Sequence, residues 1–134
     1  MKPFAYYNPK DIADAVTVLG AREGGSFAIA GGTDLLGEIK NGYLAAERVV
    51  NLKAIKGLDR IRSGGSGLKL GSLVKLSAIA SDKKIRRDYL ALAQAAESVG
   101  SPQLRNMGTL GGNICQRPRC WYYRGAEYDC IRKG

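Results

Sequence analysis

The chain of 134 residues contains no histidine and has few residues of other chemically specialised types, with three cysteines and one tryptophan. Without histidine, the commonest general base and proton shuttle is missing. The acidic residues are scattered along the sequence, on faces expected to be solvated, and form no paired set suited to acid–base catalysis. We therefore expect no catalytic residues in this chain.

Long apolar runs are also missing. No stretch approaches the ~20 apolar residues needed to cross a bilayer, and the N-terminal segment lacks the hydrophobic core of a secretory signal. The apolar content of 45% is still enough to build a core. The sequence predicts a folded, soluble protein of one domain or two small ones, cytoplasmic by default. A periplasmic location would require export together with a signal-bearing partner subunit.

Negative charge is scarce, and the net charge of +9 raises the question of nucleic acid. The basic residues are spread along the chain, however, and the densest cluster, residues 83–87, lies between Asp82 and Asp88 as on a solvated helix end. No groove-reading motif accompanies the charge. An anionic cofactor or an acidic partner subunit explains the excess as well, so we expect neither nucleic acid nor a membrane as partner. A basic anion or nucleic-acid binder remains an alternative that a salt titration would test.

The first 54 residues fit a small β-α-β-α-β unit. Residues 3–8 read as an extended segment, and residues 11–19 have apolar side chains at helical spacing before glycines 20, 24 and 25. Residues 26–30 have the length and apolarity of a buried strand, a short helix through Lys40 follows, and residues 48–51 read as the next strand. The buried face of the first helix is expected to comprise Ile12, Ala15, Val16 and Leu19.

Residues 55–114 predict a second, mixed unit. Two strand-like runs, 58–62 and 68–73, flank a glycine-rich loop and indicate a hairpin. Residues 76–80 and 89–99 read as helices, the second stopped by Gly100-Ser101-Pro102. The fold class is therefore α+β. Residues 115–134, which lack periodicity, form a third part.

A turn with adjacent glycines follows the strand at 26–30. Gly31, Gly32 and Thr33 precede a helix, so their N–H groups are expected to point outward at its positive end, where a pyrophosphate is favoured. The alternative is a tight strand-to-helix connection with Thr33 as N-cap. The turn is not a G-x-G-x-x-G fingerprint, and no Walker lysine is present.

A second turn repeats the pattern at residues 108–113, Gly-Thr-Leu-Gly-Gly-Asn. Two such turns can bring backbone N–H groups from two directions onto one anion. The alternative is a β-turn before a strand, with Asn113 tolerating an unusual backbone conformation.

The order of these motifs resembles the FAD-binding subunit of the molybdenum hydroxylases, the xanthine dehydrogenase and aldehyde oxidoreductase family. The resemblance rests on residues 30–35 (AGGTDL), 70–74 (LGSLV) and 105–115 (RNMGTLGGNIC), and it extends from about Pro3 to the last residue. It implies a two-part FAD-binding domain of the xanthine dehydrogenase or PCMH type. The units would be residues 1–54 and 55–114, with residues 115–134 as the start of a cysteine-rich insertion.

In that family FAD lies between the two units, so the resemblance assigns residues of both turns to the cofactor. Thr33 and Thr109 would donate to phosphate oxygens, Asn113 would bond near the phosphate or ribityl chain, and Asp34 would contact a hydroxyl or cap backbone N–H groups. The implied cofactor-binding residues are Ala28, Ile29, Ala30, Gly31, Gly32, Thr33, Asp34, Leu35, Gly108, Thr109, Gly112 and Asn113.

The cysteines at 115, 120 and 130 have spacings that fit neither a zinc ribbon nor a C-x-x-C pair. Incidental thiols are one interpretation, and a disulfide framework is disfavoured without a leader sequence. The surrounding sequence resembles an insertion that carries an extra [4Fe-4S] cluster in some family members. The resemblance then implies Cys115, Cys120 and Cys130 as cluster ligands, with the fourth outside this chain.

Family subunits are longer and add a C-terminal domain, so the sequence is interpreted as an N-terminal fragment. The resemblance implies an electron-transfer role: a molybdopterin-binding large subunit oxidises an aldehyde or N-heterocycle, a [2Fe-2S] small subunit relays electrons, and FAD delivers them to an acceptor. The competing hypothesis is a folded remnant or subunit-interaction module that no longer binds FAD stably.

Overall fold

The N-terminal unit is built on a three-stranded parallel sheet. The computed structural model describes residues 2–21, 25–65, 67–125 and 127–133. The strands are β1 (Ala5–Tyr7), β2 (Ser26–Ile29) and β3 (Arg48–Asn51), in the order β1-β3-β2. Val49 of the central strand is paired with Tyr6 on one side and Phe27 on the other. Val49 and Val50 are fully buried because β3 is covered on both faces, which explains why two successive residues at its centre are apolar.

Two helices cover the two faces of this sheet. Helix α1 (Ile12–Gly20) begins at Asp11, whose carboxylate accepts the Asp14 N–H at 2.8 Å. It packs through Ala15 against Val50 and Ile55, whereas α2 (Leu35–Lys40) covers the opposite face.

The expected buried face of α1 was wrong in part. Ile12 and Val16 are more than half exposed, and Val18 joins Ala15 and Leu19 against the sheet. Because Ala15 makes the closest approach, the helix is rotated so that positions i, i+3 and i+4 from Ala15 face inward. The helix ends at Gly20, the first of the glycines expected to end it, and Gly24 lies outside the described residues.

The second unit begins with an antiparallel hairpin of β4 (Ile61–Gly64) and β5 (Gly67–Leu70), in which Ile61 is paired with Leu70. Gly67 has a φ of 115°, a conformation that favours glycine in the hairpin turn. Ser66 of the expected loop lies outside the described residues. The hairpin packs on a helical core.

That core is formed by short helices. They are α3 (Leu76–Ser81), α4 (Lys83–Asp88), α5 (Leu90–Glu97) and α6 (Pro102–Met107). Ile79, Ile85 and Ala93 are fully buried between them. The basic cluster at 83–87 forms α4, which Asp82 caps through the N–H groups of Lys84 and Ile85.

Two further helices, α7 (Leu110–Ile114) and α8 (Trp121–Arg124), lead into the C-terminal part. Short 3-10 turns lie at Leu52–Ala54 and Ile131–Lys133. Within the described ranges, every helix is too short or too polar to cross a bilayer. The mixed α and β architecture confirms the expected fold class.

Candidate functional site

A cavity of about 760 Å³ lies between the two units, in the size range of small-molecule sites. Its walls come from the first glycine turn, the second glycine turn and the chain that follows the second turn. The expected site residues that line it are Ala28, Ala30, Gly31, Gly32, Thr33, Asp34, Leu35, Gly108, Thr109, Gly112 and Asn113. Ile29 is the exception, because its side chain is buried in the core against α2.

The two glycine turns touch at Gly31. A Cβ atom on this residue would clash with the carbonyl oxygen of Met107 and would lie 3.2 Å from Gly108 Cα. Only glycine allows this backbone approach. The contact joins α6 of the second unit to the end of β2 and fixes the two cavity walls relative to each other.

The first turn presents backbone donors. Gly32 has a φ of 78°, which turns the chain from β2 into α2. Within the described residues, the N–H groups from Gly32 to Leu35 have no protein acceptor. The expected Thr33 cap was wrong: Asp34 occupies the N-cap position of α2, and its side chain makes no capping hydrogen bond. The donors of this turn are therefore available to an anion in the cavity.

The second turn differs from expectation because all but one of its N–H groups already donate to protein acceptors. Gly108 donates to Leu104, Leu110 to Val74 and Gly111 to Ser72, at 2.6 to 2.8 Å. Residues 110–114 form α7 rather than an open turn, and of the N–H groups of residues 108–113 only that of Thr109 has no acceptor among the described residues. Convergence of the N–H groups of both turns on one anion therefore stays a prediction, with a single donor from the second turn.

Thr109 explains how α7 begins. Its hydroxyl accepts the Gly112 N–H at 3.2 Å as an N-cap, and the residue is only 4% exposed. The Gly112 N–H therefore faces Thr109 Oγ1, and Thr109 has a structural role that the sequence pattern did not reveal.

Asn113 carries the polar group of the second wall that is free to bind. Its Oδ1 atom is buried and has no hydrogen-bond partner among the described residues. Buried amide oxygens are normally paired, so an orphaned one in a cavity indicates a ligand donor. Assignment of the amide oxygen and nitrogen follows from the hydrogen-bond network, and either atom would suit a hydroxyl group.

Acidic and basic side chains meet at the cavity mouth. Glu38, one turn after Asp34 on α2, is 4% exposed, which corrects the expectation that the acidic residues lie on solvated faces. The arginines that pair with these two carboxylates are Arg117, Arg119 and Arg124. The i, i+4 spacing of Asp34 and Glu38 indicates that the two carboxylates share one helix face, but it does not indicate that Glu38 is buried.

The three cysteines are not assembled into a metal site. Cys115 lines the cavity and is exposed, Cys120 is exposed, and Cys130 is half-buried. In the part of the chain that the structure describes, no three side chains of His, Cys, Asp or Glu are grouped to hold a metal ion. The cluster expected from the resemblance is thus not formed by these residues in this arrangement.

Comparison with known proteins defines the class. Residues 2–120 match the family described as FAD binding domain in molybdopterin dehydrogenase, and the chain belongs to this family. It is 34% identical over 134 residues to the aldehyde oxidoreductase FAD-binding subunit PaoB of Escherichia coli (strain K12), an alignment that covers 99% of this chain and 42% of the relative. It is 37% identical to the nicotinate dehydrogenase FAD-subunit of Eubacterium barkeri, covering 85% and 39% of the two chains.

Solved structures agree with this assignment. Carbon monoxide dehydrogenase from Hydrogenophaga pseudoflava is matched with a TM-score of 0.79 and 33% identity, over 85% of this chain and 40% of that one. The chain spans about 40% of the length of the curated relatives it matches. The resemblance to FAD-binding subunits of the molybdenum hydroxylases is thereby confirmed, whereas an iron–sulfur insertion is not tested.

Proposed function

We propose that this chain forms the pyrophosphate-binding part of an electron-transfer flavoprotein subunit and holds FAD in the cavity between its two units. The observation that carries the proposal is the first glycine turn, whose N–H groups at Gly32 to Leu35 have no acceptor among the described residues and belong to residues that line a cavity of suitable size. Such donors at a helix start suit phosphate oxygens. Bound FAD would supply the redox chemistry through its isoalloxazine ring.

The two walls have different tasks in this proposal. Gly31 and Gly32 let the backbone approach the pyrophosphate, and the exposed Thr33 hydroxyl adds a donor. Asn113 bonds a ribityl or ribose hydroxyl through the side-chain group that lacks a protein partner. Thr109 positions Asn113 by starting α7 and is not itself assigned to the phosphate.

The complete subunit would transfer electrons between iron–sulfur clusters and an external acceptor. Support comes from the names of relatives, which include FAD-binding subunits of aldehyde oxidoreductase and xanthine dehydrogenase and the medium chain of carbon monoxide dehydrogenase. The proposed partners are a molybdopterin-binding large subunit and a [2Fe-2S] small subunit. Oxidation of an aldehyde or N-heterocycle would take place on the large subunit.

A flavin titration tests the binding proposal. We expect this chain alone to quench FAD fluorescence only at high protein concentration, because partial sites lose affinity when part of the enclosure is missing. ADP should compete, since it retains the pyrophosphate. A chimera that joins residues 1–120 to the remainder of the Escherichia coli aldehyde oxidoreductase FAD-binding subunit should bind FAD tightly. A folded chimera that binds neither FAD nor ADP would refute the proposal and favour an interaction module.

We further propose that the residues after 114 contribute ligands to an iron–sulfur cluster. Cys115, Cys120 and Cys130 would become ligands when a longer chain supplies a fourth thiolate and rearranges this segment. Anaerobic reconstitution of an extended chain, with iron and sulfide analysis and EPR of the reduced protein, tests it. Stoichiometric zinc in place of iron would overturn the cluster while leaving the flavin proposal standing.

A further inference from the structure

Two carboxylates lie where a pyrophosphate is proposed to bind. Asp34 and Glu38 are one helical turn apart on α2, and both line the cavity. Like charges at this spacing destabilise a helix, and a buried carboxylate such as Glu38 is costly without a partner. Unpaired, these two groups would also repel phosphate. The chain must neutralise them if the cavity is to accept an anion.

The neutralising groups come from a segment about 80 residues later, residues 115–124, which we call the arginine tail. Arg117 Nη1 lies 3.5 Å from Glu38 Oε2, and Arg124 Nη2 lies 3.2 Å from Glu38 Oε1. Arg119 Nη2 lies 2.8 Å from Asp34 Oδ1, and the Arg117 backbone N–H donates to Asp34 Oδ2 at 3.2 Å. Three guanidinium groups therefore face two carboxylates, which leaves a positive charge in excess.

The arginine tail is held in place by contacts that do not depend on the carboxylates. The Arg117 guanidinium lies 6.0 Å from the centre of the Phe27 ring, and that of Arg124 lies 5.8 Å from the Tyr43 ring. Arg124 Nε also donates to the Pro118 carbonyl at 3.2 Å. These contacts fix the positions of the guanidinium groups before any ligand binds.

We infer that the arginine tail is an electrostatic part of the anion site: Arg117 and Arg124 neutralise Glu38 and thereby let the first glycine turn bind the pyrophosphate of FAD. This inference rests on the proposed function. In it, the two arginines are positioning residues that act through Glu38. Charge compensation of this kind is strong because Glu38 is removed from water.

A set of charge variants tests the inference in the full chain. Arg117→Gln/Arg124→Gln should weaken FAD binding by about tenfold or more, as expected when one charge close to phosphate becomes unpaired at an effective dielectric constant of about 20. Adding Glu38→Gln should restore most of the affinity. The matched control is Arg60→Gln/Arg62→Gln, which removes the same charge from exposed residues outside the cavity and should change affinity far less.

The outcomes separate this inference from the proposed function. Urea unfolding without ligand should show coupling between Glu38 and the two arginines, and its absence would overturn the inference. If Glu38→Gln restored stability but not FAD affinity, the arginines would contact the cofactor directly and the inference would be wrong. If the control variant lost as much FAD affinity, the effect would come from net charge alone and the inference would be wrong. If the unaltered chain bound neither FAD nor ADP, the proposed function would fail, while the unfolding cycle would still decide whether the arginine tail neutralises Glu38.

Discussion

The two glycine pairs, Gly31-Gly32 and Gly111-Gly112, look alike in the sequence and differ in the folded chain. The first pair leaves backbone N–H groups that have no acceptor among the described residues, whereas the second lies in a helix whose first N–H groups donate to Val74, Ser72 and Thr109. One wall therefore offers backbone donors, and the other supports a side chain, Asn113, whose buried oxygen has no partner among the described residues. A glycine-rich motif therefore indicates where two backbone segments come close together. Only the assignment of every backbone hydrogen bond shows which segment has N–H groups without a protein acceptor.

The largest effect is expected where the two walls touch. Gly31→Ala should lower the free energy of unfolding by roughly 3 kcal/mol, because the added methyl group clashes with the rigid Met107 carbonyl. Gly37→Ala is the matched control: its Cβ has open space in α2, so it should stabilise by about 0.5–1 kcal/mol. Urea denaturation of both variants measures the difference. Equal stabilities would show that the walls do not meet at Gly31.

Substitutions of Thr109 and Thr33 should affect different quantities, the first stability and the second FAD binding. Thr109→Ala should cost about 1–2 kcal/mol of stability, since it removes a buried N-cap. Thr33→Ala should change stability by less than about 0.5 kcal/mol, because this side chain is exposed and makes no hydrogen bond within the described residues. We expect Thr33→Ala to weaken FAD binding instead. The reverse pattern would contradict the assigned roles of the walls.

Substitution of Asn113 should have a smaller effect, on ligand affinity, and it tests the second wall alone. Asn113→Ala removes a buried oxygen that has no partner, so stability should change by less than about 0.5 kcal/mol. FAD or ADP affinity should fall about three- to tenfold, the value of one hydrogen bond. Thermal unfolding and a ligand titration of the same sample measure both quantities. A large loss of stability would show that the side chain bonds within the protein.

The smallest change in stability should come from Asp88, which lies outside both cavity walls. A hydrogen bond from Arg87 and a second one from Lys84 hold the pKa of Asp88 well below its usual range. Because the pKa of Asp88 is lower in the folded chain, its ionised carboxylate stabilises the fold when the pH is above the unfolded-state pKa of about 3.9. This stabilisation is lost as the pH falls through the folded-state pKa. Asp88→Asn should therefore unfold at slightly lower denaturant concentration at pH 7, and this difference should narrow below about pH 4. A difference independent of pH would indicate packing instead of charge.

The local sequence pattern was sufficient to predict the strands of the parallel sheet, but it was not sufficient to predict the helix in the second cavity wall. Residues 27–29 and 49–50 are short apolar runs, which are typical of buried strands, and they lie in β2 and β3. Residues 110–114 contain two glycines and have poor helix propensity, so the sequence predicted a turn. The helix forms because the N–H groups of Leu110 and Gly111 bond to Val74 and Ser72, contacts that no local window contains.

The candidate site was predictable as a set of residues, and the roles of those residues were not. The resemblance brought both turns to one cavity, which the structure lines with all but one of the expected residues. Burial of Glu38 could not be deduced, since its partners Arg117 and Arg124 follow about 80 residues later. Likewise, the free donors of the first turn emerge only after every other backbone hydrogen bond is assigned.

The separation of the two walls along the chain has a consequence for biosynthesis. The first wall, residues 28–38, leaves the ribosome long before residue 119, which completes the lining of the second. At about 5–20 residues per second, this interval lasts roughly 4–16 s. During it, the nascent chain displays Asp34 and Glu38 without their arginines and a glycine turn without its opposite wall. If the arginine tail neutralises these carboxylates as inferred, FAD would bind only after residue 124 has been synthesised. A translation product ending before residue 117 would then carry uncompensated negative charge at the cavity.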